Sequence, residues 1–421
     1  MIIGIDASRA NRAHKSGTEW YSYYAIRALA KLDDHNEYIL YSDTPIVGSL
    51  ANLQNDEAEE TRPHYKNGFQ IIKSPHNNFK AKILKWPWKF FWSQGRLSLE
   101  MIFNAPDLLF VPAHALPIIH PRKSVVTIHD IGFKRDAKLY ERTQIGAGKQ
   151  RRQGIVNALV RLITLGRFGA NSFDYLDWST DYALKHAKAV IAISHFTKAE
   201  LTDVYGNKKN NIYVIHNSYN DELYRPVGND VRGEAVLAKY GLLRPYIFYV
   251  GRLEKKKNIA TLVEAFYFLK SQHPELKHRL YLVGDASFGF DDIKYSIYGF
   301  RLENHIRATG WIAEADLPYI YSFADAFVFP SNYEGFGIPL LQAMATKTPI
   351  VASRASSIPE IAGDAAVLFD PSSPRDMAEK IFEVLSNVNL RKELINKGEE
   401  RVKNFHSDQW AKHMLELFEK I

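Results

Sequence analysis

Along the first half of the chain, short apolar runs rich in β-branched and aromatic residues alternate with longer stretches of helical spacing. The runs occupy 2–6, 38–42, 69–74, 108–113, 125–130, 189–194 and 212–217. Such strands, separated by helices, predict a parallel sheet covered on both faces. From 220 to 244 the pattern lapses into polar sequence with Gly and Pro, where a passage between domains is expected. It resumes at 246–251, 280–284, 308–312, 326–330, 349–353 and 366–369. Between the first two of these, Ile259, Leu262, Val263, Phe266 and Leu269 are spaced to line one face of a helix. The fold class is therefore α/β, with two doubly wound domains at 1–220 and 221–404. The final helical sequence, about 405–421, is expected to pack back on the first domain. Ligands of open α/β sheets bind beyond the carboxyl ends of the strands, so the two domains should face each other across a cleft.

Composition narrows the picture only a little. A chain of 421 residues suits two domains, and 46% hydrophobic with 24% charged residues excludes a disordered or fibrous protein. The excess of 54 Lys and Arg over 47 Asp and Glu favours anionic partners. Without cysteine there are no disulfides, no thiolate catalysis and no cysteine-ligated zinc. The start, Met1-Ile2-Ile3-Gly4-Ile5-Asp6, has no charged leader and reads as a strand, not a signal peptide. No apolar run approaches the roughly 18 residues that span a bilayer, so a cytoplasmic, at most peripherally attached, protein is expected.

Two constellations carry the chemistry. The strand ending at Gly251 leads into Arg252-Leu253-Glu254-Lys255-Lys256-Lys257-Asn258, with Asn258 as a candidate N-cap for the next helix. A planar guanidinium and an ammonium beside free helix amides suit a diphosphate, although a solvated basic loop has the same composition. The second is Pro330-Ser331-Asn332-Tyr333-Glu334-Gly335-Phe336-Gly337-Ile338-Pro339, then Gln342. Here a Glu sits on a turn, two glycines admit a close backbone approach, and Pro339 starts a helix.

Together, Val250-Gly251-Arg252-Leu253, Lys257-Asn258 and Glu334-Gly335-Phe336-Gly337-Ile338-Pro339 resemble family four of the retaining GT-B glycosyltransferases, over nearly the whole chain. The resemblance implies two Rossmann-like domains across a cleft and no cofactor or metal. It implies that Arg252 and Lys257 hold the diphosphate of a nucleotide-sugar donor and that Glu334 contacts hydroxyls of the transferred sugar. It places Gly251, Asp285, Trp311, Gly335, Phe336, Gly337 and Ile338 around the donor, with Gly17 facing the phosphates and His129 near the reacting centre. Two departures stand out. The family's second Glu, eight residues after the first, is Gln342 here, whose amide can still donate to and accept from a ribose hydroxyl. Ser16-Gly17-Thr18-Glu19 has one glycine where many relatives have two. His114 is a further candidate, and Asp6 with Arg9 reads as a loop ion pair in preference to a pair of acceptor contacts.

For such an enzyme the resemblance implies front-face departure and attack, with the departing diphosphate stabilised by Arg252, Lys257 and a helix N-terminus. No Asp-x-Asp stands in a setting that suggests catalytic magnesium, and Asp291-Asp292 reads as solvated. The rivals are a nucleotide-sugar epimerase on the same fold and a non-catalytic sugar-nucleotide-binding relative. A dinucleotide oxidoreductase would need a Gly-x-Gly-x-x-Gly turn that this sequence lacks. The resemblance is closest to bacterial mannosyl- and rhamnosyltransferases, which implies a GDP- or UDP-sugar donor, GDP-mannose first. The acceptor is then a glycan or a lipid-linked glycan, with no nucleic acid involved.

One further feature suggests a membrane. Between 80 and 96, Lys82, Lys85, Lys89 and Arg96 interleave with Trp86, Trp88, Phe90, Phe91 and Trp92, a mixture suited to the headgroup boundary. Between 134 and 168, nine basic residues stand against Asp136 and Glu141, beside the apolar Ile155, Val156, Leu159, Val160, Leu162 and Ile163. Peripheral binding to anionic lipid is the expectation, with a packed aromatic segment and a solvated insertion as its competitor.

Overall fold

The structure, a computed structural model, describes residues 1–13, 15–54, 63–87, 91–140, 169–206, 210–228 and 231–421. The chain divides into two compact units. Unit 1 comprises Met1–Lys134, Arg142–Asn217 and Ser407–Ile421, and unit 2 comprises Arg135–Glu141 and Ser218–His406.

The strands of unit 1 are β1 (Ile2–Asp6), β2 (Glu37–Ser42), β3 (Tyr65–Lys66), β4 (Phe69–Ile71), β5 (Phe79–Ile83), β6 (Leu108–Val111), β7 (Ser124–Ile128), β8 (Ala189–Ala192) and β9 (Ile212–Val214). Among the described residues they form one sheet in the order β3-β4-β5-β2-β1-β6-β7-β8-β9. From β5 to β9 all pairs are parallel, and β3 and β4 extend the edge antiparallel. Ile3, Ile5, Phe110, Val125 and Ile191 are fully buried, as strands covered on both faces should be.

Sequence periodicity missed β5. Its sequence, Phe-Lys-Ala-Lys-Ile, alternates with period two, and the lysines disguise it as a basic surface stretch. Phe79 and Ala81 are buried, while Lys82 reaches the Glu100 carboxylate, which Arg96 also meets at 3.2 Å. Trp92 is nearly buried and donates its indole N–H to Leu84 O at 2.9 Å. The described part of the aromatic stretch thus packs within unit 1. Trp88, Lys89 and Phe90, and the basic stretch from 141 to 168, lie outside the described residues.

The helix Ser407–Lys420 completes the unit 1 core. Trp410, Met414 and Phe418 are buried, with Trp410 edge-on to Tyr21 at 5.8 Å and Phe418 at 5.6 Å from Phe110.

Unit 2 carries β10 (Tyr246–Val250), β11 (Arg279–Val283), β12 (Ile306–Gly310), β13 (Ala326–Phe329), β14 (Ile350–Ser353) and β15 (Ala366–Phe369). All pairs are parallel, in the order β12-β11-β10-β13-β14-β15. This is the Rossmann order, reversing between β10 and β13. The supposed linker contains the helix Val231–Tyr240, in which Gly233 leaves no room for a Cβ beside the Phe323 ring. Only Gly233, Val236 and Leu237 of this helix are buried, too short a face for periodicity to reveal. No helix among the described residues is long and apolar enough to cross a membrane.

Candidate active site

In unit 2 the strand order reverses between β10 and β13, so loops following these two strands diverge to opposite sides and open a crevice at their carboxyl ends. Both constellations singled out from the sequence lie there. Gly251 and Gly284 end the neighbouring strands β10 and β11 with φ of +142° and +133°. A Cβ on Gly284 would lie 2.0 Å from Gly251 O, so only glycine permits this approach. Hydrogen bonds from Gly251 N–H to Val283 O and from Leu253 N–H to Asp285 O, both 2.9 Å, continue the pairing beyond the strands. They hold the start of the basic loop.

Arg252 leaves this anchored backbone with its side chain 60% exposed, donating from Nη2 to Ser287 Oγ at 3.0 Å and passing 3.7 Å from Glu254. Lys257 closes the 3-10 turn Lys255–Lys257, and its Nζ lies 2.5 Å from Glu334 Oε1. Both side chains are largely covered, at 15% and 12% exposure. The loops are also joined through the backbone, since Asn332 N–H donates to Lys256 O at 3.0 Å. Glu334 itself is fixed by its N–H donating to Ser356 Oγ at 2.9 Å, while the Ser357 hydroxyl lies 2.9 Å from the carbonyls of Glu334 and Phe336. Sequence reading overlooked Ser356 and Ser357. Their place just beyond β14, the next strand at the same sheet end, was the available signal. A shielded cation touching a carboxylate offers adjacent partners for an anion and for donor hydroxyls.

Gly335 and Gly337 are buried, and Gly337 adopts φ +109° as N-cap of the helix Ile338–Ala345. Pro339 is the second helical residue, not the first, and its missing N–H is still among those a helix start leaves unpaired. The Phe336 ring is buried edge-on to Phe405 at 5.9 Å, so Phe336 can offer a ligand only its backbone. Ile338 and Gln342 are half-buried. The Tyr321 hydroxyl, deep in the core, lies 3.1 Å from Gln342 Oε1, a link with no sequence signal. Asp285 is exposed and Trp311, just after β12, is 65% exposed. Asn258 does stand at the helix start, but in the left-handed region. Its side chain accepts from Thr261 Oγ1 at 2.7 Å and donates to Pro371 O at 2.9 Å, so it caps no backbone amide.

Unit 1 reverses strand order between β1 and β6. Asp6, at the end of β1, is buried and accepts from Ser8 N–H and Oγ–H at 3.0 and 2.6 Å, and burial pushes its carboxyl up. The expected Asp6–Arg9 pair is replaced by Arg9–Glu19 at 3.0 Å, because Glu19 lies on the accessible helix start while Asp6 is occupied. Glu19 also receives the Ser16 N–H at 3.2 Å. Gly17 opens the helix Gly17–Leu32, exposed, with nothing within 4 Å of where a Cβ would stand. His129, one residue past β7, donates from Nε2 to Pro112 O at 2.8 Å and meets the Tyr21 ring edge-on at 4.7 Å. Burial first, then the neighbouring His114, lowers its pKa to about 4, so it is neutral at neutral pH.

Two doubly wound sheets, each with polar side chains gathered at its switch point, are the architecture of the GT-B fold. The family description Glycosyltransferase Family 4 matches residues 15–223 and Glycosyl transferases group 1 matches residues 241–401, and the chain belongs to this family. It is 30% identical over 391 residues to O-antigen chain mannosyltransferase B of Escherichia coli, spanning 93% of this chain and 92% of that one. Among solved structures, sucrose-phosphate synthase of Thermosynechococcus elongatus matches with a TM-score of 0.70 at 20% identity, over 100% of this chain and 98% of that one. Anabaena HepE in complex with UDP-glucose matches with a TM-score of 0.68 at 17% identity, over 100% and 99%.

Proposed function

We propose that the protein transfers a hexose, with retention and without a metal, from a nucleotide-diphosphate sugar to a glycan or lipid-linked acceptor in polysaccharide synthesis. Unit 2 binds the donor and unit 1 the acceptor. The contact between Lys257 and Glu334 carries this reading, because it sets a cation and a carboxylate side by side at a switch point. On donor binding, Arg252 and Lys257 bind the diphosphate oxygens, and Glu334, released from Lys257, accepts from sugar hydroxyls. Gln342 meets the ribose, and Trp311 lies beside the base. The bond from the anomeric carbon to the phosphate oxygen breaks with its electron pair going to the diphosphate, whose charge the two cations stabilise. The acceptor hydroxyl attacks the same face and gives its proton to the departing phosphate oxygen. Neutral His129 accepts a hydrogen bond near the reacting centre.

The E. coli relative, a mannosyltransferase of O-antigen chains, supports mannose and hence GDP-mannose. The HepE complex makes UDP-sugars the alternative donors. Peripheral attachment to anionic lipid rests on the basic stretch from 134 to 168, since the described aromatic residues between 80 and 96 support packing within unit 1. Thermal shift with GDP- and UDP-sugars side by side, followed by NMR of the product formed with and without EDTA, tests the reading. Stabilisation by GDP-mannose and an EDTA-insensitive product with the donor's anomeric configuration are expected. Donor epimerisation without transfer, or an inverted product, would overturn it.

A further inference from the structure

The reaction outlined above uses one histidine of unit 1, yet a second imidazole stands beside it. The rings of His114 and His129 are 6.0 Å apart and tilted by 34°. They are locked by crossed hydrogen bonds. His129 Nε2 binds Pro112 O at 2.8 Å, on the loop that carries His114, and His114 Nε2 binds Asp130 O at 3.2 Å, on the loop that carries His129. A carbonyl oxygen only accepts, so both Nε2 atoms carry hydrogen, and in a neutral imidazole Nδ1 is then an acceptor. Burial lowers the pKa of both rings, which keeps them neutral. Two rigid acceptors, with their donors already committed, therefore lie at the carboxyl ends of β6 and β7.

The backbone pays a conformational cost for this arrangement. His114 adopts φ +29°, where a residue with a Cβ is rarely found. It is held there by its N–H on Thr127 O at 3.0 Å and by a tight turn from Ala115 N–H to Ala113 O at 2.5 Å. The Tyr21 ring braces His129 from the side, and its hydroxyl lies 3.1 Å from Thr127 Oγ1 on the same strand. Strain of this kind at a non-glycine position gathers at functional sites. A loop needing only the backbone geometry would be better served by glycine.

We propose that His114 is a second sugar-binding residue, its Nδ1 acting with that of His129 to accept hydroxyl hydrogens from one pyranose ring and so select sugars with two free hydroxyls in reach. This deepens the transferase reading and rests on it for the reacting sugar. His114→Gly removes the imidazole while relieving the strained φ, so the loop is kept. Ligand-observed NMR with methyl α-mannoside and its singly deoxygenated analogues, alongside kcat/KM for transfer, reads the effect. His114→Gly should weaken the intact sugar about tenfold, as for one lost hydrogen bond, and leave unchanged the one analogue that lacks the hydroxyl His114 receives. A structural role would weaken all sugars alike, and that result, or full binding by His114→Gly, overturns the inference. If the wild type transfers no sugar while hexoside binding still depends on His114, the transferase reading fails and the inference stands.

Discussion

Replacing Gly284 with alanine probes the backbone approach that anchors the loop of Arg252 and Lys257. The added methyl would stand 2.0 Å from Gly251 O and 2.8 Å from Gly251 C, whereas carbon and oxygen ordinarily approach to roughly 3.3 Å. Strands β10 and β11 must then part at their ends by about 1 Å. The hydrogen bonds from Gly251 to Val283 and from Leu253 to Asp285 lengthen or break, at about 1 kcal/mol each. The φ of +133° adds about 1 to 3 kcal/mol for any residue with a Cβ. The expected loss of stability is about 3 to 5 kcal/mol. Moving the loop by about 1 Å should lower kcat/KM for the donor on the order of a hundredfold in the molecules that remain folded. Urea unfolding followed by tryptophan fluorescence, and initial rates at a temperature where the variant is folded, measure the two effects separately. A variant with the wild-type midpoint and full kcat/KM would refute the claim that this approach positions the cations.

Arg252→Ala and Lys257→Ala should each lower kcat/KM by about 2 to 4 kcal/mol of transition-state stabilisation with the fold intact, and wild-type turnover by either removes the diphosphate assignment. Glu334→Gln should abolish most transfer yet bind nucleoside diphosphate at least as tightly in calorimetry, because Lys257 loses a competing carboxylate 2.5 Å away. Gln342→Glu should keep or improve donor affinity, and complete loss of turnover would count against the ribose placement. His129 has a folded pKa of about 4 against an unfolded value near 6.5, so between these pH values the unfolded chain binds more protons and stability rises with pH. Its contribution, at most about 3 kcal/mol, is full above pH 6.5 and lost towards pH 4. Parallel unfolding curves for wild type and His129→Gln across this window should therefore differ in slope.

Strands β10, β13 and β14 were readable because they are buried on both faces, so 246–251, 326–330 and 349–353 appear as continuous apolar runs close to the observed elements. Strand β5 was not readable, because its lysines face partners remote in sequence. Lys82 meets Glu100, and nothing local indicates that Glu100 is buried at 3% exposure. Arg252, Lys257 and Glu334 were legible as loop chemistry beside strand ends and glycines. Their 2.5 Å contact depends on β13 lying beside β10, with two strands and three helices intervening in the chain. The residues that orient Arg252, Glu334 and Gln342, namely Ser287, Ser356, Ser357 and Tyr321, are ordinary in sequence and become meaningful only through tertiary neighbours.

The helix Ser407–Lys420 gives the molecule a temporal asymmetry. Unit 1 draws its core from both extremes of the sequence, with Trp410, Met414 and Phe418 set against Tyr21 and Phe110. A ribosome that has released the first 217 residues has therefore exposed a sheet and a helix face whose apolar cover has not yet been made. Unit 2 lies almost entirely within one continuous stretch, Ser218–His406, and has its core complete before that cover emerges. The unit that begins first thus finishes last, and through the interval its uncovered face is a natural client for holding chaperones. An early stop codon near 406 would spare the unit 2 sheet and leave the other half as an aggregation-prone intermediate.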